Sequence, residues 1–244
     1  GKVFCLAEHL ERLQASAHAM MFANVPDNDF ITEAIYATLK ANGMSDGAHI
    51  RLTLTRGEKI TSGMDPRLNQ SGCTLIVLAE WKAPVYQNAI TLITSSIRRN
   101  GPANIDSKIH HNNLINNILA KIEANNAGAD DALMLDNNGF VAETNACNIF
   151  MIKNGMLFTP NADACLPGIT RKTVITLCQQ NNIPIHLKNI SLTEMYNADQ
   201  VFTTGTMGEL TAVKMIDGRA IINRSGTDLL QHINDLFRNL TLAL

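Results

Sequence analysis

The sequence predicts an α+β fold in two domains, and three observations carry that expectation. Apolar and polar residues alternate in short strand-length runs, while elsewhere apolar residues recur three and four apart, as on helices. The two kinds of element mix without the regular rhythm of βαβ units. A stretch at 82–88, around Pro84, follows neither pattern and reads as a linker. A small N-terminal α/β domain is therefore expected over 1–85 and a larger one over 86–244. With 45% hydrophobic residues in 244, the chain can fill two modest cores.

Leu6, Leu10, Leu13 and Ala17 put one apolar face on a helix over about 6–22. Pro26 and Asp27 break it. Asp27 then caps a second helix with Phe30, Ile31, Ala34, Ile35 and Leu39 on its inner face, ended by Asn42-Gly43. In 49–55, Ile50, Leu52 and Leu54 alternate with Arg51, Thr53 and Thr55, so His49 and Arg51 share the polar face of a strand. Residues 57–72 are loop-like. Strands follow at 73–81 and 89–96; the first is apolar on both faces over 73–79 and needs cover on both. A helix over about 111–126 turns Ile115, Ile118, Leu119 and Ile122 toward the core. Turns at 136–139 and at Asn154-Gly155 join hairpin strands. One helix opens near Thr170. The last carries Leu229, Leu230, Ile233, Phe237 and Leu240 inside.

Composition excludes several classes of partner. Twenty basic residues against 22 acidic ones give a net charge of −2, with no electrostatic case for nucleic acid or an anionic membrane. No apolar run reaches the roughly 20 residues of a membrane span. Five cysteines, with no CxxC, argue against a disulfide framework and for a reducing, cytoplasmic compartment. No signal peptide is visible at the start, GKVFCLAEHLERL. His110-His111 has no Cys or acid at ligand spacing beside it, so no metal is expected. Nucleotide-binding glycine loops and a GxSxG elbow are also missing from the sequence.

Four features could carry chemistry. Lys108 stands just ahead of a helix, between Ser107 and Ile109 and next to two histidines. An amine that attacks a carbonyl needs desolvation or nearby positive charge; a solvated lysine at a helix start is the plainer alternative. Glu143 follows the apolar run at 139–142. A buried acid needs a partner, and a pyridinium nitrogen is one, since a carboxylate there keeps it protonated and the ring electron-poor. An exposed strand-end glutamate is the alternative. In LPGIT, Pro167-Gly168 turns the chain and Ile169 and Thr170 open a helix, whose free N–H groups and dipole suit a phosphate; plain capping by Thr170 would need no ligand. In TTGTMGEL, Gly205 lies among Thr203, Thr204 and Thr206 and either binds an anion or only turns the chain. A lysine, an acid 35 positions on and two anion-ready turns are the parts that hold pyridoxal phosphate.

In this order and spacing the motifs resemble class IV pyridoxal-phosphate aminotransferases, the family of branched-chain aminotransferases, D-amino-acid aminotransferases and aminodeoxychorismate lyases. The similarity runs through VFCLAEHLERLQASA, HIRLTLTRG, the lysine segment, GADDALMLDNNGFVAETNACNIF, NGMLFTP, LPGITR and ADQVFTTGTMGEL. The resemblance implies a D-amino-acid-aminotransferase-like fold with its active site at the domain interface, a homodimer, and small amino-acid and 2-oxo-acid substrates. It implies that Lys108 takes the cofactor and moves the substrate proton, and that Glu143 holds the pyridinium nitrogen. Leu166 would pack on the ring. Ile169, Thr170 and Thr206 would hold the phosphate, with Gly205, Thr206 and Met207 lining the substrate-carboxylate side. His49 and Arg51 would face the substrate.

Two positions depart from the family pattern. Cys5 stands where a basic residue usually grips the phosphate, and Asn113 where branched-chain enzymes often carry a tyrosine bonding the cofactor's 3-hydroxyl. Asn113 can still donate, from a shorter reach. The family also carries a segment ahead of GKVF, with an aromatic active-site residue and the first strands of the small domain. The loop TTGTMGELTAV is similar to the transaminase form, so a branched-chain L-amino acid with 2-oxoglutarate is the first expectation. A D-amino-acid aminotransferase with Arg67 as carboxylate trap, the lyase, and a cofactor-binding protein without turnover are the alternatives.

Overall fold

The computed structural model describes residues 1–243 and forms two compact units, Gly1–Ala83 and Pro84–Leu244. In the first unit, helices α1 (Leu6–Ala19) and α2 (Asn28–Ala41) pack on an antiparallel pair, β1 (Ala48–Thr55) and β2 (Thr74–Trp81). The Asp27 carboxylate accepts the Phe30 N–H at 2.8 Å and caps α2. Leu10, Ile31 and Ile35 form the core, with Ile50, Leu52, Leu75 and Val77 packed against it.

Three expectations need correction in this unit. Helix α1 stops at Ala19, because Met21 takes a left-handed φ of 53° that ends the helical ladder. Phe30 is exposed, since Ile31 and Ile35 define the inward face of α2. Strand β2 has only one covered face: Leu75 and Val77 look inward, while Ile76 and Leu78 are exposed within the unit. His49 opposes Glu80 and Arg51 opposes Leu78 across the pair, so both share this outer face. His49 Nδ1 lies 3.5 Å from Glu80 Oε1.

The second unit is built on one mixed nine-stranded sheet. Its elements run β3 (Ile90–Thr94), α3 (Ile115–Asn126), β4 (Asp131–Leu135), β5 (Val141–Thr144), β6 (Asn148–Lys153), β7 (Met156–Thr159), α4 (Ile169–Gln180), β8 (Ile185–Leu187), α5 (Leu192–Tyr196), β9 (Gln200–Gly205), β10 (Glu209–Ile216), β11 (Arg219–Ala220) and α6 (Leu229–Leu242). The order is β5-β4-β3-β10-β9-β6-β7-β8, with β11 on β10. Strand β3 runs parallel to β4 and β10, and β7 to β8; the other pairs are antiparallel. Turn chemistry sets the hairpins. Asp136 Oδ1 accepts N–H bonds from Asn138 and Phe140, and Asn154 and Gly155 take left-handed φ of 51° and 72°.

The sheet curls around Leu92, Leu133, Leu135, Val141, Ile149, Met151, Val201 and Val213. Met195 of α5 packs into the same cluster, while the opposite face of the strands receives α3. Phe150 and Phe202 stack there at 5.0 Å, and Ala120 and Ala124 of α3 pack on Ala132 and Met134. This reverses the expected orientation of α3. Its small alanines let the helix approach β4 closely, and the large residues Ile115, Ile118, Leu119 and Ile122 are exposed, from 43% to 63%. The helix also begins at Ile115 rather than near 111, because Asn113 and Leu114 donate backward to His111 and Asn112 in a turn. In α6, Leu230, Ile233 and Phe237 are buried but Leu240 is exposed.

Candidate active site

Strand β5 ends and β6 begins across a four-residue turn in which the Thr144 N–H donates to Cys147 O and the Cys147 N–H returns to Thr144 Oγ1, at 2.8 and 2.9 Å. Asn148, first in β6, opposes Thr204, near the end of β9. Glu143 opposes Met134 across β4, on the strand face away from the Ile149 core. The ends of β5, β6 and β9 thus converge at one edge of the unit. The segment leading into α4 closes over them.

At the centre is the Glu143 carboxylate, 5% exposed. Arg99 Nε donates to its Oε1 at 2.5 Å and Asn148 Nδ2 to its Oε2 at 2.9 Å. The Leu166 N–H lies 3.3 Å from both oxygens. Asn148 Nδ2 also donates to Leu166 O at 2.8 Å, so one amide ties the acid to the turn before α4. Gly168 lets that amide in: a Cβ there would lie 2.1 Å from Asn148 Oδ1. Burial pushes the Glu143 carboxyl up to about 7, against the opposing pull of the Arg99 guanidinium and its hydrogen bond.

Sequence reasoning missed Arg99 and Asn148. Arg99 reaches the acid because its own N–H donates to Leu135 O at 2.8 Å, which carries the chain beyond β3 alongside β4. The legible signals were a pair of arginines directly after a strand-like run, and an amide five residues past the acid, across a turn.

No side chain caps α4, which starts at Ile169 with Gly168 in front of it, so Thr170 is not a capping residue. Ile169 and Thr170 are buried in its first turn. Beside Asn148, Thr204 Oγ1 is buried with no hydrogen-bond partner among the described residues. The β9–β10 turn places Thr206 and Met207 in the open, and Gly205 passes so near Cys147 that a Cβ would lie 2.9 Å from its Sγ. Leu166, Ile169, Thr170 and Gly205 therefore gather around the end of the sheet that holds Glu143.

The lysine side is looser. Lys108 lies in the loop between β3 and α3, its side chain 46% exposed and its Nζ 3.8 Å from Asp106 Oδ1. The loop that carries it is fastened to the segment that carries Arg99, where Ser107 Oγ donates to Asn100 O. Asn113 is exposed and its backbone N–H donates to His111 Nδ1 at 3.1 Å. His49, Arg51 and Cys5 belong to the first unit; Cys5 takes a left-handed φ of 50° and opens α1. Arg67, also in that unit, is forked onto the Asp65 carboxylate.

The model of the amino-transferase class IV family matches residues 1–216. The chain belongs to the class IV aminotransferases. It is 58% identical to the branched-chain-amino-acid aminotransferase-like protein 2 of Arabidopsis thaliana over 99% of its own length, and it spans 44% of that relative. Among solved structures, the branched-chain aminotransferase of the archaeon Thermoproteus uzoniensis with norvaline superposes with a TM-score of 0.90 at 30% identity, covering 98% of this chain and 79% of that one. A T.th. branched-chain amino acid aminotransferase complexed with N-(5'-phosphopyridoxyl)-L-glutamate superposes at 0.86 and 30% identity, covering 96% and 77%. The fold of this class IV chain is thus that of the branched-chain enzymes. Among its described residues no helix is long and apolar enough to cross a membrane.

Proposed function

We propose that the protein is a pyridoxal-phosphate-dependent aminotransferase that moves an amino group between a branched-chain L-amino acid and 2-oxoglutarate. The observation that carries this reading is the Glu143 carboxylate, buried on Arg99, Asn148 and Leu166 beside an uncapped helix start. The cofactor's fit rests on this chain's own atoms. A carboxylate offers about four acceptor positions, and the Arg99, Asn148 and Leu166 donors leave room for one more N–H. Orphaned donors stand near it: Arg99 Nη1 and Thr204 Oγ1 are buried without partners among the described residues. The open side chain of Lys108 supplies a reachable amine. These residues suit a group with a protonated ring nitrogen, a phosphate and a carbonyl.

In this reading Glu143 holds the ring N–H, with Arg99 keeping the acid ionised against its burial. Leu166 lies against the ring. The N–H groups of Ile169 and Thr170 and the hydroxyl of Thr206 bind the phosphate. Gly205, Thr206 and Met207 border the substrate carboxylate, and His49 and Arg51 are the substrate-side residues by resemblance. Lys108 Nζ would remove the proton from the substrate α-carbon and hold it for return. Bound there, pyridoxal phosphate supplies the electron sink that makes the α-proton acidic.

The names of the relatives support a branched-chain substrate, and the glutamate adduct in one of them supports the 2-oxoglutarate–glutamate couple. The fork of Arg67 onto Asp65 speaks against the D-amino-acid alternative, which needs that cation for a substrate carboxylate. The exposed face of α3 supports a homodimer, because four large apolar side chains at helical spacing ask for cover. The deciding experiment gives the full-length protein a panel of L- and D-amino acids with 2-oxoglutarate and measures glutamate. Turnover of L-leucine, L-isoleucine and L-valine is expected. Turnover confined to D-amino acids, or none from cofactor-loaded protein, would overturn the proposal.

A further inference from the structure

His111 stands three residues past Lys108 and has no role in the reading above. Its Nδ1 accepts the Asn113 backbone N–H at 3.1 Å. A neutral imidazole that accepts at Nδ1 carries its proton on Nε2. Burial first, and the charge of Arg99 second, push the His111 pKa down, so the neutral ring with this tautomer prevails at neutral pH. Its Nε2 is nonetheless buried with no hydrogen-bond partner among the described residues, as is Arg99 Nη1. An unmet buried donor is costly, and each of these asks for an acceptor.

Their segments are fastened together. Ser107 Oγ donates to Asn100 O. Asn116 Nδ2 donates to Asn100 Oδ1 at 2.7 Å and lies 3.4 Å from Arg98 O. The loop that carries Lys108 and His111 is thereby held to the segment that carries Arg99, and Arg99 in turn grips Glu143.

The connectivity of the cofactor identifies the acceptor. Between the ring nitrogen and the carbon that bears the carbonyl, the pyridoxal ring has two paths. One carries the phosphate arm, for which the α4 start and the Thr206 turn are the donors. The other carries the 3-oxygen, a phenolate-like acceptor. Arg99 neighbours the residue assigned to the nitrogen, and His111 neighbours the residue assigned to the carbonyl carbon. We propose that His111 Nε2–H donates to the 3-oxygen of bound pyridoxal phosphate, beside Arg99 Nη1, in place of the aromatic hydroxyl that related enzymes often carry at position 113. Asn113 is exposed and gives its backbone N–H to orienting the His111 ring. The inference rests on the cofactor assignment above.

The test compares pyridoxal phosphate with 3-deoxypyridoxal phosphate, which lacks this oxygen, on full-length protein freed of cofactor. Wild type should bind pyridoxal phosphate about tenfold or more tighter than the 3-deoxy compound, the scale of one hydrogen bond to a charged oxygen. His111→Ala should lose most of that preference while holding the 3-deoxy compound as wild type does. A preference that survives in His111→Ala, or an equal loss of affinity for both compounds, would overturn the role of His111 and leave the cofactor assignment standing. Failure of wild type to bind either compound would sink the assignment itself. A measurement on wild type stands apart from the folding of the variant: the His111 Nε2–H proton resonance should move downfield on adding pyridoxal phosphate and not on adding the 3-deoxy compound. The same position with both would refute the bond.

Discussion

The two ends of the candidate site are built in opposite ways. At the acid end, Glu143 is buried and held by residues 44, 23 and 5 positions away, through Arg99, Leu166 and Asn148. At the lysine end, Lys108 is half exposed, and both its backbone N–H and its ammonium group face Asp106, two residues back. The acid is therefore organised by the sheet itself, while the lysine is placed by local turns. Electrostatics explains the division. A buried carboxylate is tolerable only where several donors converge on it. In the role proposed for Lys108, an amine that attacks, releases and shuttles a proton needs room to move.

The largest expected effect breaks the lysine end. Lys108→Ala should reduce transamination at least about a thousandfold, since no other side chain there can take over both attack and proton transfer. Stability should change by less than about 0.5 kcal/mol, because the side chain is open to solvent. Steady-state turnover together with urea unfolding of the same sample checks both halves. Activity above a few per cent would remove Lys108 from its assigned role.

The acid end should respond the other way, through stability as well as activity. Arg99→Met leaves the Glu143 charge buried without its guanidinium, a loss of about 3–5 kcal/mol at pH 8. The sign of the pH dependence follows from the Glu143 carboxyl, raised from 4.5 to about 7 chiefly by burial. The folded protein holds that proton more tightly than the unfolded chain does. This contribution to stability is complete below about pH 4.5 and is lost as pH rises through about 7. Removing Arg99 raises the carboxyl further, so the damage in Arg99→Met should shrink on acidification. Glu143→Gln, with no proton to exchange, should flatten the slope that wild type shows across this window. Urea titrations of cofactor-free protein at pH 5 and pH 8 provide the measurement, and a wild-type slope retained in Glu143→Gln would show that another group is responsible.

The smallest effect tests the α3 face, which serves neither end directly. Ile118→Glu should barely alter the stability of the single chain, because Ile118 is 57% exposed. It should weaken self-association of the full-length protein at least about tenfold, by burying a charge in an apolar contact. Sedimentation at micromolar concentration would expose an unchanged dimer, and with it a wrong choice of face.

Local chemistry made much of this molecule legible from its residues. Asp27 announces the cap of α2, Asn154-Gly155 the turn of a hairpin, and Pro167-Gly168 the start of α4; each acts within a few residues of itself. The order of lysine, acid, LPGITR and TTGTMGEL was enough for the family. The orientation of α3 was not readable, because its apolar residues form one stripe and its alanines another. Which stripe faces β4 depends on how closely helix and strand can approach, and that distance is set by Ala132 and Met134 on a separate strand.

What the sequence determined by itself, then, was whatever short-range propensity and motif order encode: the strands and most helices, the family, and a list of candidate residues. The environment of those residues was decided only by tertiary structure. Glu143 is followed in the chain by Thr144 and Asn145, and nothing in that run distinguishes a buried acid from an exposed one. It is buried because β4 pairs beside it, and it can carry charge because strand geometry brings Arg99, Asn148 and the Leu166 N–H to its two oxygens. Burial and convergence of donors are properties of contacts between distant segments, and a carboxylate's chemistry follows from them rather than from its neighbours in sequence.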